Sequence, residues 1–435
     1  MRCRDEPRNA RQIPGAQVEY RPEMDRALST RGSALAESGS IAPYFAANTA
    51  RLHDAHHPTD NPDGYIGLCV AENKLVWDLL APQLTAARPG LGHDSVCYDR
   101  WTGCRSFRDR IASFMAEHIH GRRFDPDQIA VLAGAGSVLE ALFYCLADSG
   151  EAVLVPTPSY AGFWGDLQLR DELAIVPVHT SSDAGFALTE DLLDAALAGA
   201  DRPVRALLYT NPDNPRGAVA DRSTLEMVVR WAAHKKIHLV VDELYALSVF
   251  GNVTFTSVAA LRDRLGDRIH LVWAFSKDFG ASGLRCGVLV TENAAVMRAV
   301  ESLAYWAAVS GSTQHLLERM LSDEVWVEGF IAGSRTRLAE AYRAATAVLD
   351  AAGIGHIVSD AGVFFLVDLR SHLPEQTWEG EDALWRRMVE EASLNLTPGS
   401  ACRNAEPGFF RVCFASQQVA TAVAGMHRLV DLLAD

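Results

Sequence analysis

From about residue 105 the chain alternates short apolar, β-branched runs with stretches of helical spacing. Phe107, Ile111, Phe114 and Met115 recur at helical intervals. Residues 129–132 predict a strand, 137–147 a helix, and 152–155 a strand that ends at Pro156. Further strands are expected at 173–178, 204–209, 238–241, 269–275 and 286–290, seven in all. Strands interleaved with helices imply an α/β fold, with a mostly parallel sheet covered on both faces. Sites in such sheets form at the carboxyl ends of strands. After about residue 320 the texture changes to a long helix near 325–353, strands near 363–369 and 409–414, and a closing helix near 418–433. That is the texture of a smaller α+β domain. The expected organisation is an arm over 1–40, the N-terminal part of the small domain over 41–95, a large domain over 96–320, and the C-terminal part of the small domain over 321–435.

Composition adds exclusions rather than chemistry. Of 435 residues, 49% are hydrophobic and 22% charged, the balance of an ordinary globular enzyme. A net charge of −15 argues against a nucleic-acid partner, which calls for a basic face. No apolar run approaches the ~20 residues that cross a bilayer. The first residues lack the apolar core of a secretory signal. Eight cysteines without a C-x-x-C pair favour reduced thiols and a cytoplasmic setting. His53, His56 and His57 cluster with Asp54, but no later group completes a ligand set, so no metal is expected.

The chemistry concentrates at strand ends. Lys277 closes an apolar run, beside Ser276 and Gly-rich turns, where its amine pKa is lowered toward a nucleophile or base. Asp242 ends another apolar strand and offers a buried carboxylate to a heteroaromatic nitrogen. A lysine and an aspartate so placed are what pyridoxal-phosphate chemistry requires. The run Ala133-Gly134-Ala135-Gly136-Ser137, between strand and helix, fits a phosphate cradle of free backbone amides. Arg285 can add a bidentate contact to the same phosphate. Asn214 lies in a strand-end loop with two Asn-Pro dipeptides. It reads either as a plain turn residue or as an amide aimed at the cofactor's phenolic oxygen. Tyr245 can reach that oxygen or be core. Tyr160 either stacks on the cofactor ring or packs under its loop. Arg411, in an apolar strand, needs either a structural partner or a substrate carboxylate.

Together these segments resemble the fold-type I pyridoxal-phosphate enzymes, the aspartate aminotransferase superfamily, and within it 1-aminocyclopropane-1-carboxylate (ACC) synthases. The likeness runs from about residue 60 to the end, through 68–73, 143–148, 155–160, 211–217, 242–245, 276–278, 314–317, 397–400 and 406–415. It implies pyridoxal 5'-phosphate as cofactor, with Lys277 linked to it and Asp242 paired with its ring nitrogen. Asn214 and Tyr245 would bond its phenolic oxygen, Tyr160 would stack on it, and Arg285 would hold its phosphate with Ala135, Gly136, Ser137 and Ser276. Arg411 would take the substrate carboxylate, and Glu72 would lie near S-adenosylmethionine. The implied reaction removes the Cα proton and expels methylthioadenosine from Cγ. The product would be ACC, or a C4 unit coupled to an aromatic or nucleotide co-substrate. A class I/II aminotransferase is the alternative. A homodimer is expected, with Trp101 near the neighbour's cofactor. Trp101 stands where the family has tyrosine, Ala274 where it has serine and Gly136 where it has threonine, so two hydroxyls are missing around the phosphate.

Overall fold

A computed structural model describes residues 27–37 and 42–434. Most of the arm expected over 1–40 therefore lies outside the described residues. Within it, Thr30–Glu37 forms a short helix whose start is capped by Ser29, the hydroxyl accepting from Gly32 N at 3.1 Å.

Residues from Ala42 onward form one compact unit. Its centre is a seven-stranded sheet of β1 (Ile129–Leu132), β2 (Ala152–Thr157), β3 (Ala174–His179), β4 (Val204–Thr210), β5 (His238–Asp242), β6 (Ile269–Ala274) and β7 (Gly287–Thr291). The order is β1-β7-β6-β5-β4-β2-β3, and only β7 runs antiparallel to its neighbours. The strands come out as expected, mostly one or two residues longer at their carboxyl ends. The reversed direction of β7 was invisible because a strand buried on both faces reads as the same apolar run either way.

Both faces of the sheet are dry. Along β4, Ala206 and Leu208 join one apolar cluster and Leu207 and Tyr209 the other, as period-two alternation requires. Burying each such aliphatic side chain contributes about 1.5–3 kcal/mol. Helix Ala135–Leu146 packs Val138, Leu139, Leu142 and Phe143 onto the first face.

A second layer is a three-stranded antiparallel sheet of β8 (Phe365–Asp368), β9 (Thr397–Pro398) and β10 (Phe409–Val412), ordered β9-β10-β8. Ile66–Gly67 pairs in parallel with Leu394–Asn395, which ties the early chain to the late one. Helices Glu324–Ala351 and Val419–Ala434 pack against each other beside these strands. The consequence for the site is that residues near 71, 214, 277 and 411 converge although hundreds of positions separate them.

Candidate active site

A cavity of about 210 Å³ opens at the carboxyl ends of β5 and β6. Its lining includes Asp242, Tyr245, Lys277, Asn214, Tyr160 and Arg285, together with Ala135, Gly136 and Ser276. Ten of the expected site residues thus meet: these nine, and Arg411, whose guanidinium bonds Asn214.

Lys277 follows β6 on the single helical turn Phe275–Asp278. Its Nζ donates to the carbonyl of Ala71 at 2.6 Å. Burial pushes its amine pKa down, with the Arg411 guanidinium adding to the effect. Asp278 locks this turn in place. Its carboxylate accepts from Ser248 Oγ (2.6 Å), Trp273 Nε1 (2.8 Å) and Leu247 N (3.1 Å).

Asp242 ends β5 and is 4% exposed. It accepts from Leu244 N at 3.1 Å, and no ion pair forms on it among the described residues. Burial raises its carboxyl to about 7, opposed by the Leu244 amide and by Lys277. Asn214 donates from Nδ2 to Tyr245 Oη (3.2 Å) and accepts at Oδ1 from Arg411 (3.0 Å). One amide therefore links the two candidate phenolate contacts to the candidate carboxylate contact. Arg411 also donates to Cys69 O (2.9 Å) and Thr397 Oγ1 (3.2 Å), while its buried Nε has no partner. Among the described residues no carboxylate pairs with it, which removes the structural ion pair as an explanation.

The phosphate loop is shaped by glycine. Gly134 has φ +96°, and a Cβ there would meet the Arg285 guanidinium at 2.4 Å. Gly287, opening β7, packs against the loop backbone; a Cβ on it would lie 2.5 Å from Gly134 C and 2.7 Å from Ala135 N. Arg285 NH2 in turn donates to Ala133 O at 3.2 Å.

Four residues fall less simply. Ser137 turns its hydroxyl back to Ala133 O at 3.2 Å and does not line the cavity. Ala274 is fully buried in the core. Glu72 reaches the edge of the site, where Ser282 Oγ donates to its Oε1 at 2.9 Å and Lys74 lies at 3.7 Å. Trp101 lies outside the cavity, edge-on to Tyr98 (5.3 Å) and Tyr305 (5.2 Å) and lining a different cleft.

Sequence reasoning missed Ser282, Asp166 and Tyr44. Ser282 and Asp166 line the cavity. Burial raises the phenol of Tyr44, and Arg411 and Tyr160 are close enough to act on it electrostatically. Nothing local in the sequence marks Tyr44, since its significance comes from the pairing of the two chain ends. His53 lies in the short 3-10 helix Leu52–Asp54, and His57 precedes a turn whose Asp60 N donates to its Nδ1 at 3.1 Å. Among the described residues no group of His, Cys, Asp or Glu could hold a metal, and no helix is long and apolar enough to cross a membrane.

The arrangement fits pyridoxal 5'-phosphate group by group. Asp242 is a buried carboxylate lacking a cation, as a protonated ring nitrogen needs. Lys277 is a buried amine, and the glycine loop with Arg285 leaves room where a phosphate would sit. The fold and cavity are those of a pyridoxal-phosphate enzyme of fold type I. The sequence profile of the class I and II aminotransferases matches residues 64–428, and the chain belongs to that family. It is 40% identical over 430 residues to 1-aminocyclopropane-1-carboxylate synthase 3 of Oryza sativa subsp. japonica, covering 92% of this chain and 94% of that one. It is 38% identical over 408 residues to 1-aminocyclopropane-1-carboxylate synthase 6 of Arabidopsis thaliana, covering 90% and 82%. In fold it matches Thermus thermophilus aspartate aminotransferase with a TM-score of 0.79 at 20% identity, over 94% of this chain and all of that one. The enzyme is pyridoxal-phosphate dependent, like the ACC synthases and aminotransferases it resembles.

Proposed function

We propose that the enzyme acts on S-adenosylmethionine, removes its Cα proton and releases methylthioadenosine from Cγ, with ACC as the product. The observation that carries this reading is the pairing of an uncompensated Arg411 with a Glu72 fixed beside Lys277. A buried guanidinium without a carboxylate suits an α-carboxylate, and a nearby glutamate suits a sulfonium cation. The ACC synthases among its relatives support the same substrate.

Bound pyridoxal phosphate supplies the electron sink for this chemistry. The residues of the chain do the rest. Arg411 orients the substrate carboxylate, and Thr397 and Asn214 fix the guanidinium from the sides. Lys277, its amine pKa lowered by burial, takes the proton from Cα. Asp242 would hold the proton on the cofactor's ring nitrogen; a unit-charge pair at ~3 Å and an effective dielectric near 20 gives roughly 5 kcal/mol before desolvation. Tyr160 would cover the cofactor's ring face, while Asn214 and Tyr245 would donate to its phenolic oxygen. Glu72 stabilises the positive end of the substrate.

The active unit in this reading is a homodimer. Tyr98 (91% exposed), Trp306 (77%) and Tyr305 (55%) cluster around Trp101. An aromatic patch of that size calls for cover, and a second copy would bring Trp101 toward its cofactor.

The test is to incubate the protein with S-adenosylmethionine, and separately with an amino acid and 2-oxoglutarate. Methylthioadenosine with ACC supports the proposal. Glutamate without methylthioadenosine would replace it with the aminotransferase reading. Methylthioadenosine with a heavier product, identified by mass spectrometry, would show capture of the C4 unit by a co-substrate.

A further inference from the structure

We propose that Asp166 is a hydrogen-bond donor to the phosphate of the bound cofactor, and that it enters the complex carrying a proton. Asp166 sits on the short helix Phe163–Gln168 and lines the cavity opposite the phosphate loop. Its Oδ1 lies 3.6 Å from where a Cβ on Gly136 would stand. The absence of a side chain at Gly136 therefore leaves no Cβ between this carboxyl and the loop. No side-chain hydrogen bond or ion pair engages Asp166 among the described residues.

An ionised carboxylate beside a phosphate dianion would repel it, whereas a protonated one donates an O–H to it. Burial already raises the Asp166 carboxyl to about 6. A dianion next to it raises it further, so the proton is held to higher pH in the holoenzyme. The surroundings do not reverse this. Arg285 and Tyr160 share the cavity. On the neighbouring helix Glu140 is paired with Arg170 at 3.0 Å, and on β3 His179 is bonded to Thr157 at 2.8 Å. With Ser137 turned away and Ala274 in the core, Asp166 joins Arg285, Ser276 and Ser282 among the polar groups lining the cavity beside the loop. The proton comes from solvent when the cofactor binds and returns to solvent on release.

The sign of the pH dependence follows. Below the Asp166 pKa the donor is in place; above it, the phosphate meets a negative charge. Holoenzyme should therefore lose cofactor on dilution roughly tenfold faster at about pH 8.5 than at about pH 6.5. Its bound phosphate should titrate over the same window by phosphorus NMR. Asp166→Asn, which donates without a labile proton, should flatten both profiles and retain cofactor better than the parent at high pH. Gly136→Ser, which places a hydroxyl in the gap, should flatten them in part. A parent whose phosphate resonance and release rate are constant across this range overturns the proposal without any variant. So does an Asp166→Asn holoenzyme that keeps the parent's pH profile or releases cofactor faster than the parent at pH 8.5.

Discussion

The last residue of β5 and the turn after β6 each bury an aspartate, and burial pushes both carboxyls upward, Asp242 to about 7 and Asp278 to about 6. Their partners differ. Asp278 collects three donors, from Ser248, Trp273 and Leu247. Asp242 has only the Leu244 amide and the Thr210 hydroxyl, and it faces the cavity. The first is satisfied within the chain and fixes the position of Lys277. The second is left one cation short, and that deficit is what a ligand supplies. Buried polar groups without partners are costly, so the contrast separates scaffold from site more sharply than burial alone.

The comparison can be broken in order of expected effect. Replacing Lys277 with alanine should abolish the visible absorbance of the holoenzyme and all turnover; a borohydride-reducible adduct surviving in the variant would refute the assignment. Asp242→Ala should cost several orders of magnitude in turnover while cofactor stays bound, because the ring nitrogen loses the group that keeps it protonated. Near-normal kinetics would place the essential carboxylate elsewhere. Arg411→Gln should weaken substrate binding by roughly 2–5 kcal/mol, as for other buried charge pairs left with one partner, measured by ligand titration of the cofactor spectrum.

Smaller effects sharpen it. Glu72→Gln should lower S-adenosylmethionine turnover about tenfold more than it lowers affinity for alanine, given the ~1.4 kcal/mol per decade of a lost charge contact. Equal effects on both ligands would remove the case for Glu72 as a sulfonium contact. Asp278→Asn should change turnover least and the stability profile most. A carboxyl raised in the folded state binds more protons there than in the unfolded chain, so its contribution is present at low pH and is lost as pH rises through about 6. Denaturant midpoints of parent and variant should therefore diverge between about pH 4 and 6 and run in parallel above.

How much of this was legible in advance follows from where the information lies. The strands were readable because each is a local run of β-branched residues, and Lys277 and Asp242 because each ends such a run. The likeness to known sequences pointed to Glu72, Tyr160 and Arg411, which the fold brings to the cavity or its edge. The bond from Asn214 to Arg411 was not readable, since it joins the loop after β4 to a strand of the second sheet. The contact of Ser282 with Glu72 was hidden for the same reason: two ordinary loop residues acquire meaning only when folding brings them to 2.9 Å. Trp101 taught the opposite lesson. Its place in the sequence suggested the cofactor, yet within its own chain it belongs to an exposed aromatic cluster.

The seat of the phosphate loop has a consequence of a different kind. Gly287 holds that loop through missing atoms rather than through a bond. A hydrogen bond lost to substitution can be rebuilt from another direction, but a backbone-to-backbone approach offers no second partner to adjust. Side chains lining the pocket can be exchanged one at a time to alter what the enzyme accepts. Position 287 has no such latitude, and a library built to redirect this enzyme would find every productive variant still carrying glycine there.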